Sequence, residues 1–278
     1  MTPSSSWYTP DKKPAEGSSC QLSPLLLLYP YVEPLEGGFS GFLCAVFEAY
    51  RYRNPSLRFR PDSREFPARN SAPLLFEEVQ GVPYSPERAK RVSEGIIKRI
   101  GFQGFNTLYH AFLSDYAERE ERIFSLIKKI MSLNDSDILS RLDVEEAVYV
   151  IKAAKRTEMQ AHRYMGILRF SYLKPVYYAA LEPDCRVLPL LASHFTNRFR
   201  DQGWIIHDTS RKEALIWTGK DLRFIQDLTI EGGLAAKDPY EDLWKRYFLV
   251  SPVKERTNPA LQRNYLPRKY RSNLTEFK

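Results

Sequence analysis

The sequence predicts an α+β protein, with a mainly helical first half followed by a small antiparallel sheet of two hairpins and its packed helices. Three observations predict it. Through most of residues 39–165 apolar side chains recur every three or four positions, the period of a helix with one buried face. After Gly166 the pattern changes to short β-rich runs separated by turn residues. Those runs follow the order hairpin, helix, hairpin, helix, which suits α+β better than a doubly wound parallel sheet. At 278 residues, 13% of them aromatic, the chain can bury one large core. The expected organisation is a flexible tail over 1–24 and one α+β domain over 25–278. A sub-boundary is expected near 165, between a helical part (39–165) and a β-rich part (166–278).

Ser, Pro, Gly and Lys dominate residues 1–24 without periodicity, hence the tail. Leu25 to Val32 reads as a buried strand, kept short by Pro24, Pro30 and Pro34. Beyond Gly37 and Gly38, the spacing of Phe39, Phe42, Leu43, Val46, Phe47 and Tyr50 predicts a helix to Tyr52. Four prolines between Asn54 and Pro73 then predict a loop or extended arm. Ser85-Pro86-Glu87 is a helix start, with a capping hydroxyl, a first-turn proline and an acid at the positive dipole end. Ala89, Val92, Ile96, Ile97 and Ile100 line its face, and Gly101 suits its stop. Phe105 to Tyr116 forms a second amphipathic helix and Ile123 to Met131 a third or its continuation. Asp143-Val144-Glu145-Glu146 has capping-box spacing and opens a helix to about Tyr164.

In the second half, Ile167 to Leu173 and Val176 to Leu181 form the first hairpin, through Lys174-Pro175. Leu188 to Phe199 returns to helical spacing. Trp204 to His207 and Ala214 to Trp217 pair around the polar turn Asp208 to Lys212. Asp238-Pro239-Tyr240-Glu241 starts a helix that buries Leu243, Trp244, Tyr247 and Phe248, and short helices follow Asn258-Pro259 and Leu266-Pro267.

Cys20, Cys44 and Cys185 are odd in number and form no CxxC pair, which excludes a disulfide framework or a structural zinc site and suits a reducing, cytoplasmic setting. Leu25 to Leu28 is too short to span a bilayer, so no membrane association is expected. The net charge of +7 is concentrated. Residues 51–70 carry a net +4 and residues 250–278 a net +5, leaving the rest slightly acidic. Both segments interleave aromatics with cations: Tyr52, Phe59 and Phe66 in the first, Tyr265, Tyr270 and Phe277 in the second. Guanidinium groups pair with phosphates and aromatic faces stack on bases, so DNA is the expected partner. The candidate contacts are Arg51, Arg53, Arg58, Arg60, His162, Arg163, Arg169, Arg211, Lys254, Arg256, Arg263, Arg268 and Lys269. The alternative is a solvated loop and tail whose aromatics belong to the core.

P-loop, GxGxxG, GxSxG and HExxH signatures are absent. The most suggestive chemical stretch runs from Trp204 to Lys212, where a strand ends on His207 and Asp208. With His194, Glu182 and Asp184 nearby, these residues are the candidate catalytic set for acid/base hydrolysis, and they could hold a divalent metal. No metal site or cofactor is predicted, because Asp208 closing its turn and pairing with Arg211 or Lys212 accounts for the same residues structurally. At the helix end, His162 and Arg163 face the negative dipole, which is a sufficient structural account. The functional one has Arg163 and Arg169 directing guanidinium groups into one groove.

An ordered series of blocks resembles a known family. The series begins with Gly38-Phe39-Ser40-Gly41-Phe42-Leu43-Cys44-Ala45-Val46-Phe47-Glu48-Ala49-Tyr50 and continues with His162-Arg163-Tyr164-Met165-Gly166-Ile167-Leu168-Arg169-Phe170. Next come Tyr177-Tyr178-Ala179-Ala180-Leu181-Glu182-Pro183-Asp184, Trp204-Ile205-Ile206-His207-Asp208 and Pro267-Arg268-Lys269-Tyr270. Together they resemble a bacterial DNA repair or DNA metabolism protein family, a domain of unknown function, over residues 38–274. In that family the domain is paired with a radical-SAM DNA repair protein, and a similar domain is found fused to uracil-DNA glycosylases. The resemblance implies a DNA-binding or accessory partner of a radical-SAM enzyme and carries over no catalytic residues. Two other readings stay open. One is a nuclease-like or glycosylase-like hydrolase using His207 and Asp208; the other is a protein-binding scaffold.

Overall fold

The computed structural model describes residues 24–32, 38–52, 54, 56–62, 78–133, 135–173, 175–229, 239–250, 258, 260–262, 266–271 and 274–277. The chain forms two compact units, Met1–Thr157 and Glu158–Lys278. Both mix helix and strand, and the class is α+β as the sequence predicts.

The first unit holds β1 (Leu25–Tyr29), α1 (Phe39–Ala49), β2 (Leu57–Pro61), β3 (Glu78–Gly81), α2 (Pro86–Phe112), α3 (Arg119–Leu133) and the start of α4 (Glu145–Ile167). Its sheet has the order β2-β1-β3, with both pairings parallel. Consecutive leucines point to opposite faces of a strand, and Leu25, Leu26 and Leu27 are all buried, as a central parallel strand requires. The expected arm from Asn54 to Pro73 therefore contains a strand. In Leu57-Arg58-Phe59-Arg60, Phe59 turns inward against Phe42 and Phe124. The alternation outweighs the prolines because Pro61 sits at the strand end, where a missing N–H is harmless. Buried in this way, Phe59 cannot stack on a base.

Helix α2 begins as the sequence requires, with Ser85 Oγ accepting from Arg88 N at 3.3 Å and Pro86 in the first turn. Gly101, at φ 72°, interrupts the helix where a stop was expected, and the chain continues as helix to Phe112. An aromatic cluster of Tyr29, Phe39, Phe42, Phe59 and Phe112 fills the space between sheet and helices.

The second unit takes the end of α4, then β4 (Ser171–Leu173), β5 (Val176–Leu181), α5 (Leu188–Arg198), β6 (Trp204–Asp208), β7 (Glu213–Trp217), β8 (Leu222–Ile225) and α6 (Pro239–Val250). The two expected hairpins are β4–β5 and β6–β7. They join through a parallel β5–β6 pairing that α5 makes possible, and β8 extends the sheet to the order β4-β5-β6-β7-β8. Strand β4 is shorter than expected because α4 continues to Ile167. Leu181, Trp204, Ile206 and Leu215 form the core face, with Leu188, Leu191 and Phe195 of α5 against them.

Helix α6 departs from expectation. It packs through Phe248 on Phe277 and through Trp244, whose Nε1 donates to Glu276 Oε2 at 3.0 Å. Leu243 and Tyr247 stay exposed, and among the described residues the helix is met by the short turn Thr275–Phe277 and by the Arg169 guanidinium.

Candidate nucleic-acid interface

In the second unit several of the expected cations meet around one tyrosine. Tyr270 closes the short helical turn Arg268–Tyr270 and is buried against the last turns of α4. Its hydroxyl accepts from Gln160 Nε2 at 3.3 Å and from Arg163 Nη1 at 3.2 Å. The Arg163 guanidinium lies 5.0 Å from the ring centroid and Lys269 Nζ 5.1 Å, while Tyr164 meets the ring edge-on at 5.2 Å. Helical spacing explains the α4 contribution, since Gln160, Arg163 and Tyr164 share one face.

Gln160 fixes the next layer. Its Oε1 accepts from Cys185 N at 2.7 Å, and its Nε2 also reaches Asp184 Oδ2 at 3.2 Å. Asp184 in turn pairs with Lys269. Burial pulls the Lys269 ammonium down, but the Asp184 bond and the neighbouring Tyr270 outweigh it and hold its pKa above the ordinary lysine value. Burial pushes the Tyr164 hydroxyl upward, so it stays protonated. Arg169 pairs with Glu276 at 3.2 Å, and its guanidinium lies over Trp244 at 5.5 Å. Arg169, Lys269, Tyr164 and Tyr270 line a shallow cleft with room for roughly one water molecule. A base cannot enter it. What the arrangement offers is a cationic rim on a rigid aromatic base, a surface suited to phosphates.

The candidate catalytic residues are engaged otherwise. Asp208, 1% exposed, accepts from Ser210 N, Ser210 Oγ and Arg211 N, and its Oδ2 takes Arg211 Nη1 at 2.9 Å. It closes the β6–β7 turn. Arg211 also donates to the Pro183 and Asp184 carbonyls, so its guanidinium ties this turn to the end of β5. His207 is buried, with Nδ1 2.9 Å from Tyr178 Oη. Burial holds its imidazole below the ordinary pKa, against the pull of the Leu228 backbone and the Asp208 charge. Glu182 is exposed and accepts from Thr209 Oγ1 at 3.4 Å, and His194 stacks edge-on against Phe195 on α5. Among the described residues, no three His, Cys, Asp or Glu side chains are placed to hold a metal.

Sequence reasoning missed two members of this region. Glu213 stands directly opposite Asp208 in the β6–β7 register and pairs with Arg186 at 2.9 Å. Burial raises the Glu213 pKa, and Asp208 adds to the rise against the pull of Arg186. The hairpin register predicts the Asp208–Glu213 juxtaposition, whereas no sequence signal points to Arg186.

Of the other expected contacts, His162 and Arg268 are exposed. Arg51 pairs with Glu48 at 3.0 Å, and Arg58 and Arg60 alternate with Phe59 on β2. Arg53, Lys254, Arg256 and Arg263 lie outside the described residues, as do Phe66 and Tyr265. Among the described residues, Lys269, Arg169, Arg211 and Arg51 each have a carboxylate partner, whereas Arg163 has the Tyr270 hydroxyl. No described helix is long and apolar enough to cross a membrane.

Residues 117–276 match the model of a protein family described as a domain of unknown function, DUF4130. No curated protein and no solved structure matches the chain.

Proposed function

The chain belongs to the DUF4130 family, and from that premise we propose that it is a DNA-binding accessory protein. In this reading it works beside a radical-SAM repair enzyme, and the radical chemistry belongs to that partner. The observation that carries the reading is the gathering of Arg163, Arg169 and Lys269 around Tyr164 and Tyr270, from segments about a hundred residues apart. The Tyr270 ring holds Arg163 and Lys269 in place, and Arg163, which gives one N–H to the Tyr270 hydroxyl, keeps others for phosphates. The resemblance to a DNA repair family points to the same partner.

Fluorescence anisotropy with labelled DNA between 50 and 200 mM salt tests the reading. We expect affinity to fall over that range, with a log–log slope of at least about −1 for a phosphate contact at Arg163. Arg163→Ala should reduce the slope by about one and weaken binding evenly across sequences. Absence of DNA affinity at 50 mM salt in the folded protein would overturn the proposal and favour a protein-binding scaffold.

A further inference from the structure

The two edges of the first unit's sheet are finished differently. On the β2 side, the outward N–H of Phe59 donates to Glu121 Oε1 at 3.0 Å, so the first turn of α3 covers that edge. On the other side, β3 is exposed at all four positions. Its sequence, Glu-Val-Gln-Gly, carries no lysine, arginine or proline to deter another strand. Glu78 N donates to the Pro24 carbonyl at 2.9 Å and Val82 N to the Leu28 carbonyl at 2.8 Å. Backbone groups alternate along a strand, so those of Val79 and Gly81 point away from β1. Among the described residues, no strand pairs with that side. The Gly81 carbonyl accepts from Gln80 Nε2 at 3.1 Å and has a second lone pair.

These outward groups are symmetric about Gln80. When a second β3 lies antiparallel on a two-fold axis through Gln80, Val79 stands opposite Gly81 of the second copy, and Gly81 opposite Val79. Each such pair exchanges both N–H···O=C bonds. Glu78 then stands opposite Val82 of the second copy, and Val82 lines one cleft with Gln80 and Arg88. The Arg88 guanidinium, in a side chain 37% exposed, shares the buried Glu48 carboxylate with Arg51. Pairing thus brings an acid toward a cation at each end and leaves an uncharged centre. An edge that matches its own reverse in this way fits a second copy better than an unrelated strand.

We propose that β3 is a self-association edge, through which two copies of the chain pair antiparallel and join their three-stranded sheets into one. The paired strands alone bury less than the roughly 1,200 Å² of a standard interface, so the dimer forms only at high concentration.

Sedimentation velocity of the full chain between about 10 and 1,000 µM tests the edge. A monomer–dimer equilibrium with a midpoint in roughly the 100 µM range is the expected result. Val79→Pro removes an outward N–H and none of the bonds to β1, and proline is tolerated on an open edge. It should weaken dimerisation at least tenfold while the circular dichroism spectrum is unchanged. Gln80→Lys and Gln80→Glu each set like charges against one another across the axis. Either variant alone should associate at least tenfold more weakly, and an equimolar mixture of the two should associate at least as tightly as the parent. A chain that stays monomeric at about 1 mM would overturn the proposal and leave the edge to a strand of another protein. Dimerisation that survives all three substitutions, or a mixture that associates no better than its components, would overturn it too.

Discussion

Two arginine–carboxylate clusters, one in each unit, use the same chemistry to different ends. At the β6–β7 turn, Asp208 has Arg211 and Glu213 has Arg186, and all four side chains are less than a fifth exposed. Charges cancel one for one, and Arg211 spends its other N–H groups on the backbone carbonyls of Pro183 and Asp184. At the α1–α2 cluster a single buried acid holds two arginines, each more than a third exposed, beside an open cleft. The balance of charge and the access of water, not the presence of arginine, separate a closed clamp from an open cluster. A closed pair is left with a bare buried charge when one partner is removed, whereas an open pair is relieved by water.

That difference predicts the largest effect. Arg211→Ala leaves Asp208 buried and unpaired next to Glu213, and should destabilise the protein by about 3–5 kcal/mol. Arg51→Ala, at a half-exposed pair, should cost less than about 1 kcal/mol. Urea unfolding of both variants measures the contrast, and equal losses would break the distinction between closed and open clusters.

A middle-sized effect sharpens the closed side. The His207 pKa lies below the ordinary value of 6.5 in the folded protein, chiefly because the ring is buried. The unfolded chain therefore binds the proton more readily, so His207 contributes stability above pH 6.5 that is lost as pH falls through its folded pKa. Glu213 acts with the opposite sign: its raised pKa makes the folded state the better proton binder, and its contribution declines as pH rises above 4.5. His207→Gln keeps a partner for Tyr178 and removes only the first of these. The fall in urea midpoint between pH 7.5 and pH 5.5 should be smaller in this variant than in the parent. An unchanged fall would remove His207 from the acid sensitivity of the turn.

The clusters also differ in how far the sequence reveals them. Asp208 and Arg211 are three residues apart in a polar turn, so their pairing follows from local geometry. Glu48 and Arg88 are forty residues apart, and the sequence offers only the oddity of one acid in an otherwise uncharged helix. The same contrast runs through the fold. Ser85-Pro86, Gly101 and the β6–β7 hairpin are local signals, and each marks a feature that forms. The parallel pairing of β1 with β2 and β3 joins segments more than thirty residues apart, and β3, Glu-Val-Gln-Gly, has no apolar pattern of its own. The Tyr270 site is legible in part: the sequence places Arg163 and Arg169 together. Its hub is a buried tyrosine, which composition presents only as an aromatic among cations.

The smallest effect tests whether the open cluster depends on the helix that carries half of it. Arg88 sits in the first turn of α2, where the Ser85 hydroxyl accepts its backbone N–H and the Ser85 carbonyl accepts from Cys44 Sγ at 3.3 Å. Ser85→Ala removes the cap and leaves the second contact, at a cost of about 1 kcal/mol. That loss falls on the first turn, so it should loosen Arg88 over Glu48 more than it weakens the whole unit. The Arg88 Nε–H signal in NMR should then exchange faster with water, while the Arg211 signal in the β6–β7 turn is unaffected. If the urea midpoint drops and the Arg88 exchange rate does not change, Glu48 alone positions the guanidinium and the helix end adds nothing to it.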